Sequence, residues 1–130
     1  MSSFEPFAIA LRLSGVTLSQ AELETELKAL TSRFEPEDAA NSHYAQVDLD
    51  EDNPVRAILA FAEASGARVA ALLEARKIGK AVLDIAFDFP EEGEAMSARL
   101  PAHMALAIAS HDIDVEVSVY LTDVEDAEED

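Results

Sequence analysis

Apolar and polar residues alternate strictly in three segments of the chain, which is the pattern of a β-strand with one buried face. The first segment covers residues 7–13 and is followed by Gly15, which we expect to end the strand. The other two cover residues 82–89 and 113–121, and the last has the clearest alternation. A shorter alternation near residues 43–49 predicts a fourth strand.

The first helix is predicted from a capping box directly after the first strand. Ser19 and Glu22 have the spacing in which each side chain caps the backbone of the other. Pro36 disfavours a helical conformation at the residue before it, so this helix should end near Phe34 and a loop should cover residues 35–41. Its apolar stripe has helical spacing and consists of Leu23, Leu27 and Leu30.

Two more helices are expected between the later strands. Residues 54–78 have a helical composition, with Pro54 at the first position and Gly79 as the C-cap, and Gly66 interrupts the segment. A short helix is predicted over residues 101–110. The residues of these two helices expected to face the core are Ile58, Phe61, Val69, Leu72, Leu73, Met104, Leu106 or Ala107, and Ile108.

The order of these elements predicts a single α+β domain over residues 1–122. The strands have one apolar and one polar face, which favours a mixed or antiparallel sheet of about four strands with helices packed on one side. A central strand near each end of the domain, as in ferredoxin-like folds, is expected, with the long middle helix as an addition. Residues 123–130 form an acidic run that we expect to be disordered.

The charge of the chain limits its partners. Its 130 residues include 27 acidic and 9 basic side chains, a formal net charge of -18. Such a field repels nucleic acid and anionic membranes and attracts a basic protein. The same acidity would also serve solubility alone, or adaptation to high salt.

The apolar content and the absence of cysteine narrow the structural class. Apolar residues make up 49% of the chain, which is enough to bury a core without disulfides or metals. Cysteine is absent, which excludes thiolate chemistry and fits a reducing compartment. No export signal or membrane-spanning run is recognisable, so we expect a cytoplasmic protein.

Known catalytic and cofactor motifs are not found. Asp48, Asp50 and Asp52 have the spacing of a calcium loop, but Asn53 replaces the required glycine and Leu59 the final glutamate. The three histidines lack metal-ligand spacing, and no nucleotide or nucleophile-elbow motif occurs. We therefore predict no metal, no cofactor and, on balance, no enzyme.

Acidic residues on the polar faces of the last two strands are the candidate site. Close carboxylates can act as a general acid–base pair, provided that these strands are neighbours. An acidic docking surface with an aromatic anchor is the interpretation we favour. The candidate residues are Asp84, Asp88, Asp114, Glu116 and Tyr120.

The chain opens with a predicted strand and glycine at residues 7–15 and a predicted helix entry at residues 18–23. This opening resembles that of the bacterial domain-of-unknown-function family 4279. Residues 96–103 and 109–120 are similar to its last helix and its terminal strand ending in tyrosine. Members usually carry a tryptophan after the second strand begins, where this chain has Tyr44. The resemblance implies no activity and no catalytic residues.

Three functions follow from these observations. The first is a protein-binding module for a basic partner, of the immunity, inhibitor or adaptor type. The second is a carboxylate-based protein or enzyme that binds a small ligand or a divalent metal. The third is a structural homodimer built by pairing exposed sheet faces or edges.

Overall fold

The computed structural model describes residues 4–37, 41–89 and 97–120. Within them the chain forms five strands and four α-helices, two of which are joined by a π-helical turn. The strands are β1 (Ala8–Val16), β2 (Arg33–Pro36), β3 (His43–Leu49), β4 (Lys80–Asp88) and β5 (Asp114–Tyr120). The helical elements are α1 (Gln20–Leu27), α2 (Pro54–Phe61), the π-helical turn (Ala62–Gly66), α3 (Ala67–Glu74) and α4 (Ala102–Ala109).

The strands form one mixed sheet in the order β2-β3-β1-β4-β5. β1 is antiparallel to both neighbours, β2 is antiparallel to β3, and β5 is parallel to β4. The α+β class and the mixed sheet are confirmed, but the sheet has five strands and the ferredoxin-like order is not matched. The reason is that α4 carries the chain across to a parallel position outside β4, so the last strand is an edge and not a centre.

One face of the sheet is packed against the helices. Ile9, Leu11 and Leu13 of β1 and Leu83 and Ile85 of β4 are almost fully buried on this side. They share one core with pairs of apolar residues from every α-helix, because the helices present these residues at i, i+3 or i+4. Those helical residues are Leu23, Leu27, Ile58, Phe61, Val69, Leu72, Met104 and Ile108.

The first helix is shorter than the sequence predicts. Its capping box is confirmed, with the Ser19 side chain accepting from the backbone of Glu22 and the Glu22 carboxylate accepting from the backbone of Ser19. The helix ends at Leu27 because Lys28 takes a left-handed conformation, with φ of 58°. Leu30, expected in the buried stripe, is therefore 80% exposed.

The segment after the first helix forms an unexpected strand. Arg33–Pro36 pairs with β3, where the sequence predicts first a helix end and then a loop. Pro36 is compatible with this position because β2 is an edge strand, where an outward-facing backbone nitrogen needs no partner.

The long middle helix runs from Pro54 to Glu74 with a change of geometry in its centre. Pro54 is at the first helical position, as predicted, and the π-helical turn occupies the region of Gly66. The helix ends at Glu74, so the prediction that it continues to residue 78 with Gly79 as its C-cap is wrong. Gly79 instead donates its backbone N–H to the carbonyl oxygen of Ser14, 2.9 Å away.

Gly15 lies inside β1 and does not end it. Its φ of 66° allows a bulge at which the pairing with β3 shifts before Val16. Its backbone N–H donates to the Glu37 carboxylate at 2.9 Å. A side chain here would also press on Gly79, whose backbone nitrogen lies 3.1 Å from the position of a Cβ.

Near the end of the described chain, α4 and β5 occupy the predicted positions. Met104 and Ile108 are buried and Ala107 is half-buried, whereas Leu106 is exposed. The predicted turn at residues 90–94 and the expected tail at residues 123–130 lie outside the described residues, as does the end of the last predicted strand. Within the described ranges, the helices are all too short or too polar to cross a membrane.

Candidate binding face of the sheet

The second face of the sheet has no helix packed on it in the described part of the chain. We call it the open face. Its side chains come from the alternate positions of each strand, since neighbouring residues of a strand point to opposite sides. The open face consists of Ala8, Ala10, Arg12 and Ser14 of β1, Arg33 and Glu35 of β2, Tyr44, Gln46 and Asp48 of β3, Lys80, Val82, Asp84, Ala86 and Asp88 of β4, and Asp114, Glu116, Ser118 and Tyr120 of β5.

A depression of about 1020 Å³ lies in the middle of the open face. Its floor is made by the small side chains of Ala8, Ala10 and Ala86, which lie on the central strands β1 and β4. Longer acidic and aromatic side chains surround this floor, and they belong to β3, to β5 and to other positions of β4. Pairing places Asp48 and Asp84 on opposite sides of Ala10.

Arg12 holds one end of the depression together. Its guanidinium donates to the Tyr44 hydroxyl at 3.2 Å and to the Asp84 carboxylate at 3.3 Å. The hydrogen bond with Tyr44, together with the nearby carboxylates of Asp84 and Glu116, raises the pKa of Arg12 above its ordinary value. Arg12 therefore stays cationic and links three strands of the sheet.

A chain of hydrogen bonds continues from Arg12 along β3. The Tyr44 hydroxyl donates to Gln46 at 2.8 Å, and the Gln46 amide donates to Asp48 at 2.9 Å. Arg33 covers the Tyr44 ring, with its guanidinium carbon 5.1 Å from the ring centre. These contacts fix the side chains at this end, so the surface is largely formed before any partner binds.

The residues predicted as a site all lie on the open face. β4 and β5 are neighbours, as the cluster requires, with Asp84 opposite Glu116 and Asp88 opposite Tyr120. Asp84 and Asp88 line the depression with Tyr120, whereas Asp114 lies opposite Val82 at the outer end of β5. Tyr120 also packs edge-on against Phe7, with ring centres 5.7 Å apart.

The contacts of Asp84 favour binding of a charged group over acid–base catalysis. One of its oxygens accepts from Arg12 and the other accepts from the Ser118 hydroxyl at 2.8 Å. An acid–base pair requires two carboxylates that compete for a proton, but here Arg12 supplies a positive charge beside both Asp84 and Glu116. The arrangement suits charge-assisted binding better than proton transfer.

The acidic segment after β3 has the geometry of a solvated turn. Asp50 accepts a hydrogen bond from the backbone of Asp52 at 2.9 Å, and both side chains are exposed. Among the described residues, no group of three or more histidine and acidic side chains is arranged to hold a metal ion.

The four residues of the hydrogen-bonded chain on the open face are not part of the binding surface predicted from the sequence. They are Arg12, Tyr44, Gln46 and Asp48, which form the hydrogen-bonded chain above. One signal was present in the sequence, since Arg12 is a charged residue at a polar position of a strongly alternating strand. Its partners depend on which strands lie beside β1, which alternation does not encode.

The chain was compared with known protein families, with curated proteins and with solved structures, and nothing matched. The resemblance to the bacterial domain-of-unknown-function family 4279 therefore stays a prediction.

Proposed function

We propose that this chain is a cytoplasmic protein-binding module that holds a basic segment of a partner protein on its open face. An immunity protein, an inhibitor or an adaptor would all work in this way. The proposal rests on the depression in the sheet and on the acids around it, together with the net charge of the chain.

The main support for binding of a basic segment is a row of residues that runs across the sheet at Ala10. In this row Asp48 and Asp84 lie on either side of Ala10, about 10 Å apart between their backbones. Arg12 and Ser118 hold the Asp84 carboxylate in place, and Gln46 donates to Asp48. A lysine or arginine side chain of a partner fits over the alanine floor, where its charge reaches both carboxylates.

The other end of the depression suits the apolar part of the same partner. Phe7, Tyr120 and Asp88 lie here beside Ala8 and Ala86. Tyrosine is frequent among the residues that dominate binding energy, because its ring buries apolar area while its hydroxyl stays hydrogen-bonded. A basic residue next to an aromatic or aliphatic residue is the partner sequence that this surface favours.

The net charge of -18 acts on the rate of association more than on the contact itself. A negative field attracts a basic protein from solution and accelerates its encounter with the surface. Screening by salt reduces this effect, so binding should weaken as ionic strength rises.

A charge-neutralising variant tests the proposal. The double variant Asp48→Asn and Asp88→Asn keeps side-chain size and removes two carboxylates that line the depression. Its affinity for a fluorescent decapeptide of alternating lysine and leucine, measured by anisotropy at low salt, should fall about tenfold, or about 0.7 kcal/mol for each carboxylate.

The matched control removes two acids from the helical side of the molecule. Glu63 and Glu74 are exposed there, and the double variant Glu63→Gln and Glu74→Gln changes the net charge by the same amount. The proposal expects this control to bind almost like the unchanged protein. Equal losses in the two double variants would show that net charge attracts the peptide and that the open face does not bind it specifically.

A further inference from the structure

The outer edge of β5 is unpaired in the part of the chain that the structure describes, and it is apolar. Val115, Val117 and Val119 project to the helix-covered side of the sheet, in line with Leu83, Ile85 and Phe87 of β4. The β4 residues are buried, whereas these three valines are 39%, 50% and 48% exposed. A row of half-exposed valines on an open strand edge is a ready template for pairing with another strand.

The direction of the backbone groups of β5 follows from one hydrogen bond. The Phe89 backbone N–H donates to the Tyr120 carbonyl oxygen at 2.8 Å, so the backbone of Tyr120 faces β4. Successive residues of a strand turn their N–H and C=O groups to opposite sides, and the pairing of β4 with β5 has no register shift. The backbone groups of Val115, Val117 and Val119 therefore face outward.

We propose that β5 pairs with β5 of a second copy of this chain, antiparallel and about a two-fold axis at Val117. This surface is the outer edge of β5 and meets the depression at Tyr120, but the proposal rests on observations independent of the proposed function. The two sheets would continue into one another, with both helix layers on the same side. The exposed valines of each copy would then cover those of the other.

The backbone permits few registers for such a pair. In an antiparallel ladder the hydrogen-bonded positions must join two residues whose N–H and C=O groups both face the partner. The two-fold axis can pass through an outward-facing residue, as a hydrogen-bonded pair, or through an inward-facing residue, as a non-hydrogen-bonded pair. With the axis at Val117, all seven residues of β5 are paired, and the three outward-facing residues of each copy make up to about six backbone hydrogen bonds.

The charges of β5 select the same register. With the axis at Val117, Glu116 lies opposite Ser118 of the second copy and Asp114 lies opposite Tyr120, so no carboxylate lies opposite another. With the axis at Val115, Asp114 would instead lie opposite Glu116, and like charges directly across a ladder destabilise it. With the axis at Val119, only part of β5 would be paired. With the axis at Glu116 two carboxylates would face each other, and with the axis at Ser118 only residues 116–120 would be paired. Pairing of the whole strand without opposed carboxylates therefore selects the register at Val117.

The net charge opposes this association and gives it a distinctive salt dependence. Each copy carries -18, so salt should strengthen the dimer by screening their repulsion. Salt has the opposite effect on binding of a basic partner. A seven-residue edge buries less than a standard protein interface, so we expect a Kd on the order of 10 μM.

Single cysteines test both the dimer and its register, because the chain has no cysteine of its own. In the proposed register Val117 faces its own counterpart at about 5.5 Å between Cα atoms, a separation that a disulfide spans. Val115 and its counterpart lie about 14 Å apart along the ladder, which a disulfide does not span. Under mild oxidation the Val117→Cys variant should form covalent dimers, and the Val115→Cys variant should stay largely monomeric.

Mixing two single-cysteine variants tests the register of the β5 pair a second time. Val115→Cys and Val119→Cys proteins, each slow to cross-link alone, should cross-link when mixed, since residues 115 and 119 lie opposite each other. Sedimentation of the unchanged protein at high salt should show a reversible dimer, and Val117→Lys should abolish it. The proposal is overturned by monomers at every concentration and salt, or by equal cross-linking of the single-cysteine variants.

Discussion

Gly66 is the position where a single methyl group should reveal how the helices pack. It lies in the π-helical turn, and the imidazole ring of His111, just after α4, rests directly on it. A Cβ at residue 66 would lie 2.6 Å from Nε2 and 2.8 Å from Cγ of that ring, and closer still to Cδ2. The Gly66→Ala variant therefore forces the ring or the backbone to move.

The expected free-energy change combines two opposing effects. Overpacking at such a contact costs about 1–3 kcal/mol, whereas replacing glycine by alanine in a helix stabilises it by about 0.5–1 kcal/mol. Gly66→Ala alone should therefore destabilise the protein by up to about 2 kcal/mol. In a His111→Ala background the clash is removed, and the same substitution should stabilise the protein by about 0.5–1 kcal/mol.

Urea unfolding followed by circular dichroism measures all four proteins of this double-mutant cycle. The prediction is a change of sign between the two backgrounds, with a coupling energy of about 1–3 kcal/mol. The same loss of stability in both backgrounds would show that Gly66 is needed for a reason other than the His111 ring.

Three further substitutions test individual contacts of the fold. Ser65→Ala leaves the Leu27 carbonyl at the end of α1 without its buried donor, so we expect a loss of about 1–3 kcal/mol in urea unfolding. Gly15→Ala places a side chain at φ of 66° and against a neighbouring backbone, and should cost about 1–2 kcal/mol in the same assay. Hydrogen bonds from the backbone and hydroxyl of Thr31 lower the pKa of Glu24, so its stabilising effect is present above the unfolded-state pKa and is lost as pH falls through the folded-state pKa. An NMR titration should show the Glu24 pKa rising toward its ordinary value in Thr31→Val, and an unchanged pKa would contradict this account.

The elements with strong local signals were predictable from the sequence. Alternation located β1 and β4, the capping box located the start of α1, and the proline at residue 54 located the start of α2. In each case the signal is contained in a few neighbouring residues, which is why no tertiary contact is needed to read it.

The features that the sequence did not predict depend on strand order or on an unusual backbone conformation. β2 is four residues long and is held by pairing with β3, so its own residues carry little alternation. The end of α1 depends on a left-handed lysine, a conformation that sequence patterns favour at glycine or asparagine. The valines of β5 have the alternation of a buried strand, but their exposure is decided by the position of β5 at the edge.

The candidate site was predictable in part for the same reason. Asp84, Asp88 and Glu116 occupy the alternate positions of their strands that form the polar face. Neighbouring residues in the sequence are enough to show this. That β4 and β5 are neighbours, and that Arg12 reaches Asp84 from β1, are consequences of strand order. The sequence pattern therefore indicates an acidic face but not the arginine and tyrosine that organise it.

The binding of a basic segment to the open face is tested most directly by mapping where a peptide binds. The backbone amide signals of the labelled protein are followed by NMR while the lysine–leucine decapeptide is added at low salt. We expect saturable shifts concentrated at Ala8, Ala10 and Ala86, with little change in α2 and α3. Shifts that are spread evenly over the acidic surface, or concentrated on the helical side, would contradict this expectation.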